Sequence, residues 1–592
     1  MHPQHPEDQT KPDPGIPSPP ESSTDDGNQP KSPSIDRRKL LQVLAAGGIG
    51  SACFHRALAA QATQAGQVTT AMVQQAAWIA DLELSEDELT STTARVERTL
   101  DKFQTLREQP VSYDTPPALY FSATPREPSN NVKIDRQARP IGTSKSARPA
   151  DDQDLAFLPV TDLAALLKAR KVSSLQLTQL YLERLKRYDP LLHCVVTLTE
   201  ELALKQARRA DQEIASGKYR GPLHGIPWGA KDLIAYPGYP TSWGAPHFRE
   251  QLLDEKATVA QRLEDAGAVL VAKLSLGALA MGDRWFGGMT RNPWKTSEGS
   301  SGSSAGSASA TAAGLVGFTL GSETLGSIVS PCRRCGTTGL RPTFGRVSRH
   351  GCMSLAWSMD KIGPITRSVE DAALIFAAIH GADGKDPTAV NRSFQWPASK
   401  DLSDLTIGYF ETEESIDQRD DMAVLRKLGV KLVPVQLPKT PARPLTLILD
   451  TEAATVFDEL TRKGITEGLN SWPTTFRQGQ FIPAVEYLRA NRVRTLLMKE
   501  MESVMEPIDA YVGGNDLVIT NFTGHPTVVI PDGFRHSGED RVPYSLTFTG
   551  KLFGESTLLA LAHAYQQETG VHLEHPSLTL PEPPANKKQS GT

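Results

Sequence analysis

Residues 299–306 read Gly299-Ser300-Ser301-Gly302-Ser303-Ser304-Ala305-Gly306, followed by Ser-Ala-Ser-Ala-Thr-Ala-Ala-Gly314-Leu-Val-Gly-Phe-Thr-Leu320 and then Gly321-Ser322-Glu323-Thr324-Leu325-Gly326-Ser327-Ile328-Val329-Ser330-Pro331. The first eight residues have the composition of a flexible linker. The residues after them do not suit a linker, because Ala310 to Leu320 is a small-residue, apolar segment fit for burial. The stretch therefore predicts a buried helix bracketed by two hydroxyl-rich turns. Such turns can set two serines side by side while presenting backbone N–H groups, the parts of an activated nucleophile and an oxyanion hole.

A base for that nucleophile is offered upstream by Gly221-Pro-Leu-His-Gly-Ile-Pro-Trp228-Gly229-Ala230-Lys231-Asp232. Lys231 is flanked by apolar residues and glycines, which suits an interior position. A solvated lysine, near pKa ~10.4, is a poor base at neutral pH. Half-neutralising it at pH 7 costs roughly 4.6 kcal/mol, which burial can supply. Lys231 precedes Ser303 by 72 residues, and Ser303 precedes Ser327 by 24.

These blocks, in this order, resemble the amidase signature family. Asn292-Pro293-Trp294, Gly339-Leu340-Arg341-Pro342-Thr343-Phe344-Gly345-Arg346, Asp360-Lys361-Ile362-Gly363-Pro364, Asn521-Phe-Thr-Gly-His-Pro526 and Phe548-Thr-Gly-Lys-Leu-Phe553 extend the match over roughly residues 155–575. The resemblance implies an α/β fold with a central mixed β-sheet covered by helices. It implies amide hydrolysis without metal or organic cofactor. Ser327 would be the nucleophile, Ser303 (joined to Gly302 by a cis peptide) the proton relay and Lys231 the base. The backbone N–H groups of Thr324, Leu325, Gly326 and Ser327 would form the oxyanion hole. Acyl-pocket residues would come from loops such as 281–289 and from the segment around 476–494.

Three positions depart from the family pattern. Leu325 replaces a glycine, and a positive φ there would strain it. Glu323 replaces an aspartate. Val329 replaces an arginine, a loss that Arg333 or Arg334 is expected to offset.

Outward from this core, residues 1–36 are rich in Pro, Ser, Asp and Gln and read as a disordered leader. Asp36-Arg37-Arg38-Lys39, the apolar run Leu40 to Phe54 and Ala57-Leu58-Ala59 read as a twin-arginine export segment over 37–59, with release into the periplasm and a cytoplasmic protein as the alternative. Cys53 is a poor lipidation site, and the run is too short for a stable membrane span. Over 60–110 the pattern predicts a helical hairpin: Ser85-Glu86-Asp87-Glu88 is a capping box, and Leu89, Thr93, Val96, Leu100 and Phe103 form one stripe that must dock on the downstream domain. This segment weakly resembles the C subunit of bacterial tRNA-dependent amidotransferases. A linker or strap follows over 111–154, the amidase domain occupies 155–576, and 577–592 reads as a disordered tail. Within the domain, Thr161 is expected as an N-cap, Ser173 or Ser174 as a second, and helix 258–266, Gly267 and strand 268–272 as one α/β unit.

The chain has 592 residues, 39% hydrophobic and 22% charged, with a formal net charge of −5. That mild charge supplies no electrostatic reason for nucleic acid as a partner. The expected partner is a small-molecule amide, with a homodimer left open. Cys332-Arg-Arg-Cys335 lacks a second CxxC for zinc and reads as structural. Gly302-Ser-Ser304-Ala-Gly306 fits the esterase pattern G-x-S-x-G, but Lys295 to Ser301 is no buried strand to precede it. Two further readings stay open: a glutamine amidotransferase A-type subunit, or a weakly active or non-catalytic binding subunit. Export would separate an amidotransferase from charged tRNA and so favours a free-standing hydrolase.

Overall fold

The computed structural model describes residues 68–111, 118, 119, 134, 138–141, 147–412 and 415–579. The expected leader, the export segment through Ala59 and the tail beyond residue 579 lie outside the described residues. No helix among the described residues is long and apolar enough to cross a membrane.

Eleven strands form one mixed sheet. In chain order they are β1 (Val195–Leu198), β2 (Pro227–Lys231), β3 (Val269–Leu274), β4 (Phe318–Glu323), β5 (Thr338–Arg341), β6 (Lys361–Thr366), β7 (Thr406–Tyr409), β8 (Lys431–Pro434), β9 (Ala510–Val512), β10 (Thr527–Ser537) and β11 (Asp540–Gly550). Their spatial order is β1-β3-β2-β4-β6-β5-β10-β11-β9-β7-β8. The runs β3-β2-β4 and β9-β7-β8 are parallel, and the remaining neighbours are antiparallel. β2, β3 and β6 are buried along their whole length, which is why they read as short apolar or small-residue runs rather than as alternating ones.

Parallel pairing places the site. Trp228, Gly229 and Ala230 of β2 lie opposite Phe318, Thr319 and Leu320 of β4. Lys231 therefore leaves the sheet at the same carboxyl edge as Ser322 and the turn that carries Ser327. Ligands of α/β sheets gather at that kind of edge.

The Gly/Ser stretch folds as expected into a buried helix, Ala305–Ala312. Its small side chains allow close approach to the sheet: a Cβ on Gly306 would meet the Cys194 carbonyl and the Ser275 backbone. Its hydroxyls pair with strand and loop backbone, Ser307 Oγ donating to Leu320 O at 3.0 Å and Ser309 Oγ to Arg291 O at 2.8 Å. Lys295–Gly299 does form a short strand, but in a two-stranded ribbon with Arg291–Asn292 outside the central sheet.

Local signals set some helix boundaries. Ser173 caps Ser174–Leu192 with Gln176 closing a capping box, and Gly267 at φ +85° ends the unit begun by Thr258–Asp265. Thr161 is not an N-cap. That helix spans Val160–Lys168, and the distant carboxylate of Asp371 accepts from the N–H groups of Val160 (2.9 Å) and Thr161 (3.1 Å) in place of a local cap.

The expected hairpin is present as α1 (Thr70–Ile79) and α2 (Glu86–Arg107), with the Ser85–Glu88 capping box in place. The stripe of α2 is rotated from the expected one. Leu100 is 43% exposed, and Thr92, Thr93, Thr99, Phe103 and Leu106 are buried. Docking decides this: Thr99 accepts from Gln478 Nε2 at 2.8 Å, while Phe103 and Leu106 enter an apolar cluster with Leu445, Ile448, Val493 and Phe522. Lys102 pairs with Asp450 at 3.1 Å, Arg107 with Glu486 at 2.8 Å, and Arg477 with Glu88. In the strap, Ala118 N donates to Asn491 O at 3.1 Å, and Ala138 is buried in the main core.

Candidate active site

Lys231, the last residue of β2, is fully buried. Its Nζ lies 2.8 Å from Ser303 Oγ, 2.9 Å from Ser322 Oγ and 3.2 Å from Ser304 Oγ, with the Ser322 carbonyl at 3.3 Å. Burial lowers its pKa from the ordinary 10.5 to about 7, and the carboxylates of Asp360 and Glu323 hold it from falling further. A neutral amine at that position can accept a proton from a serine hydroxyl, and the protonated amine can return it.

Ser303 is buried and follows a cis Gly302–Ser303 peptide bond. Gly302 is required by space: a Cβ there would collide with the backbone carbonyl of Gly282. That carbonyl belongs to the 277–282 loop, in which Leu279 and Ala280 have φ +49° and +62°. Trp472 Nε1 donates to Ala278 O at 3.1 Å, and Asn470 Nδ2 donates to Met281 O at 3.1 Å. The loop 278–281 is thus tied to residues 470–472, just ahead of the second expected pocket segment.

Ser327 is half-buried, whereas Lys231 is fully buried. Ser304 N donates to Ser327 O at 3.0 Å, pinning the Ser327 turn to the residue after Ser303. Among the described residues the Ser303 and Ser327 hydroxyls share no hydrogen bond, and the N–H groups of Leu325, Gly326 and Ser327 donate to no protein acceptor. Thr324, the fourth expected donor, follows the strand that ends at Glu323 and gives its hydroxyl to Asp360 Oδ1 at 2.5 Å.

The three departures have physical resolutions. The left-handed position in the turn is Gly326, at φ +100°, and Leu325 keeps an ordinary backbone. Glu323 is wholly buried and serves four donors: Oε2 accepts from Ile328 N (2.8 Å) and Val329 N (2.9 Å), Oε1 from Arg341 Nη1 (2.9 Å) and Asn521 Nδ2 (2.8 Å). Burial alone would raise its pKa, but Arg341 and Lys361 outweigh that and hold it at about 2. The charge behind the turn therefore comes from Arg341. Arg333 and Arg334 do not supply it: Arg333 donates to Thr547 Oγ1, and Arg334 pairs with Glu298 at the surface.

Several neighbours carry no role in the motif reading. Ser304 and Ser322 complete the lysine's hydroxyl cage, and Ser304 Oγ also donates to Ser322 O at 3.1 Å. Asp232, next to Lys231, forms a buried ion pair with Lys273 at 2.7 Å and accepts from Ser242 N at 2.9 Å. Asp360, Arg341 and Asn521 stand within the family blocks, but only the fold shows what each one holds. Cys332 and Cys335 are free buried thiols in the helix Val329–Cys335, and burial pushes Cys332 up to about 12.

The model of the Amidase family matches residues 176–514, more than half of the chain, including Lys231, Ser303 and Ser327. The chain belongs to the amidase family. Among its relatives is the A-type subunit of the glutamyl-tRNA(Gln) amidotransferase of Carboxydothermus hydrogenoformans, 32% identical over 72% of this chain and 100% of that protein. The corresponding subunit of Chloroflexus aggregans is 34% identical over 72% of this chain and 99% of that protein. The solved structure of the peptide amidase from Stenotrophomonas maltophilia superimposes with a TM-score of 0.62 at 30% identity, covering 71% of this chain and 98% of that one. The chain is thus an amide-hydrolysing enzyme of the amidase family, with the mixed sheet and flanking helices of such structures.

Proposed function

We propose that the enzyme hydrolyses a linear carboxamide of a small molecule through an acyl-enzyme on Ser327. The observation that carries this reading is the sealed Lys231 amine, poised near neutrality 2.8 Å from Ser303 Oγ. Ser327 Oγ attacks the amide carbon and passes its proton to Ser303, whose own proton moves to Lys231 Nζ. The C–O bond forms as the carbonyl becomes an oxyanion, facing the open N–H groups of Leu325, Gly326 and Ser327. Catalytic hydrogen bonds commonly tighten only with substrate bound, and the Ser327 hydroxyl, free of partners among the described residues, can swing toward Ser303. Collapse breaks the C–N bond, and the lysine's proton returns through Ser303 to the leaving nitrogen. Water then attacks the ester by the same relay and releases the acid.

The export motif around Arg37-Arg38 supports a free-standing periplasmic hydrolase rather than a tRNA-modifying subunit. The amidotransferase relatives favour glutamine as a second substrate candidate. Purified protein should release ammonia or an amine from a panel of simple amides that includes glutamine. A fluorophosphonate should label Ser327, and Ser327→Ala should lose both signals. Full turnover in Ser327→Ala or in Lys231→Ala would reject the assignment, and ammonia release confined to glutamine would favour the amidotransferase reading. Amino-terminal sequencing of protein from the periplasmic fraction should begin near Ala60; an intact leader on soluble cytosolic protein would overturn the export proposal.

A further inference from the structure

We infer that α2 is a positioning element of the active site, coupled to the nucleophile turn through Leu325. The inference rests on the assignment of Ser327 as nucleophile. α2 lies outside residues 176–514, the part matched by the family, yet it completes an apolar cluster against which Leu325 of the catalytic turn packs. Phe103 is 5% exposed and Leu106 fully buried there, beside Ala356, Met359, Ile448, Val493 and Phe522.

Three contacts lead from this cluster to the reacting groups. Leu325, within the proposed oxyanion turn, packs its half-buried side chain on the cluster. Ala356 and Met359 belong to the loop that ends in Asp360, whose carboxylate accepts from Ala356 N (3.0 Å), Leu355 N (2.8 Å) and Thr324 Oγ1 (2.5 Å). Phe522 follows Asn521, which donates to Glu323, the carboxylate holding the N–H groups of Ile328 and Val329. The turn bearing Ser327 is therefore held before, within and after its open N–H groups by Asp360, Leu325 and the Asn521–Glu323 pair, where Leu325 packs on the cluster and Asp360 and Asn521 directly adjoin its members Met359 and Phe522.

The glycine that the family pattern places at position 325 would have no side chain to reach that cluster. Leucine there makes an apolar anchor, and α2 supplies part of what it is anchored in. Interiors are close-packed, so a void opened at Phe103 is felt by its neighbours. The polar tethers Lys102–Asp450 and Arg107–Glu486 hold α2 in register from outside the cluster.

The test is a double-mutant cycle in the full-length protein, made of Phe103→Ala, Leu325→Gly and the pair, with amide turnover and fluorophosphonate labelling of Ser327 as readouts. Each single variant should lower kcat and the labelling rate by about fivefold or more with KM little changed. The double variant should be little worse than the worse single, because contacts that share a cluster are not additive. The inflection of the pH profile near 7, set by Lys231, should stay in place. Fold-changes that multiply, an effect on KM alone, or full kcat in folded Phe103→Ala would each overturn the inference. If Phe103→Ala does not fold, Lys102→Ala combined with Arg107→Ala loosens α2 without a core cavity. That variant should still lower kcat, and an unchanged kcat would overturn the inference in its turn. A wild-type protein that neither turns over amides nor labels at Ser327 would instead refute the proposed function itself.

Discussion

Replacing Lys231 by methionine separates the energetic cost of the buried amine from its use. The folded pKa of about 7 lies below the ordinary 10.5, so between those values the unfolded chain binds more protons than the folded one. Stability of the wild type therefore rises with pH through this window, and below about 7 the full penalty applies, roughly 5 kcal/mol at ~1.4 kcal/mol per pH unit. Between pH 10 and pH 7 the swing is roughly 3–4 kcal/mol. Methionine removes that slope. It also removes a donor from the hydroxyls of Ser303, Ser304 and Ser322, a loss of roughly 1 kcal/mol each that does not depend on pH. The variant should be the less stable protein at pH 10 and should equal or exceed the wild type near pH 7, with the two curves crossing between. Urea melts at pH 7, 8.5 and 10 read this directly. Turnover should vanish in the variant, while wild-type kcat/KM should fall about tenfold per pH unit below ~7 as the base becomes protonated. A gap in stability that stays constant from pH 7 to 10, or wild-type activity that is flat down to pH 5, would refute a neutral buried lysine as the base.

The carboxylate of Glu323, held at about 2 against an ordinary 4.5, stabilises the fold above pH ~4.5, and that contribution is lost as pH falls toward 2. Glu323→Asp is one methylene short of serving Ile328, Val329, Arg341 and Asn521 together. It should lower kcat by roughly 10- to 100-fold and stability by about 2–3 kcal/mol, read from kinetics and urea midpoints. Gly302→Ala should abolish fluorophosphonate labelling and reduce soluble yield, because its Cβ meets the Gly282 backbone carbonyl, which cannot move aside as a side chain could. Cys194, Cys332 and Cys335 are buried with their thiols pushed up, so a chromogenic disulfide reagent should leave them unmodified in the native protein and titrate them only on unfolding.

Legibility varied with how far each decision reached along the chain. Helix starts with their own caps, at Ser85 and Ser173, were readable because donor and acceptor lie three residues apart. The start at Val160 was not, because its cap is Asp371, some 210 residues away. The stripe of α2 followed periodicity only approximately: the position of Gln478 and of the apolar cluster, not the hydropathy of Leu100, chose which side is buried. Proximity in sequence points to 333 or 334 for the replacement of the missing arginine. It lies instead on β5, as Arg341, which the register of the sheet brings to Glu323.

The order of the motif blocks carries the resemblance to the amidase family, and through it the assignment of Ser327, Ser303 and Lys231 as nucleophile, relay and base; such blocks are local and legible in the chain alone. Only the tertiary structure decided that Lys231 is sealed among three hydroxyls, that Gly326 rather than Leu325 takes the left-handed position, and that α2 backs the Ser327 turn. The physical reason is that desolvation, backbone angle and cluster packing are set by neighbours distant along the chain, which parallel pairing of β2 with β4 and the docking of α2 bring together.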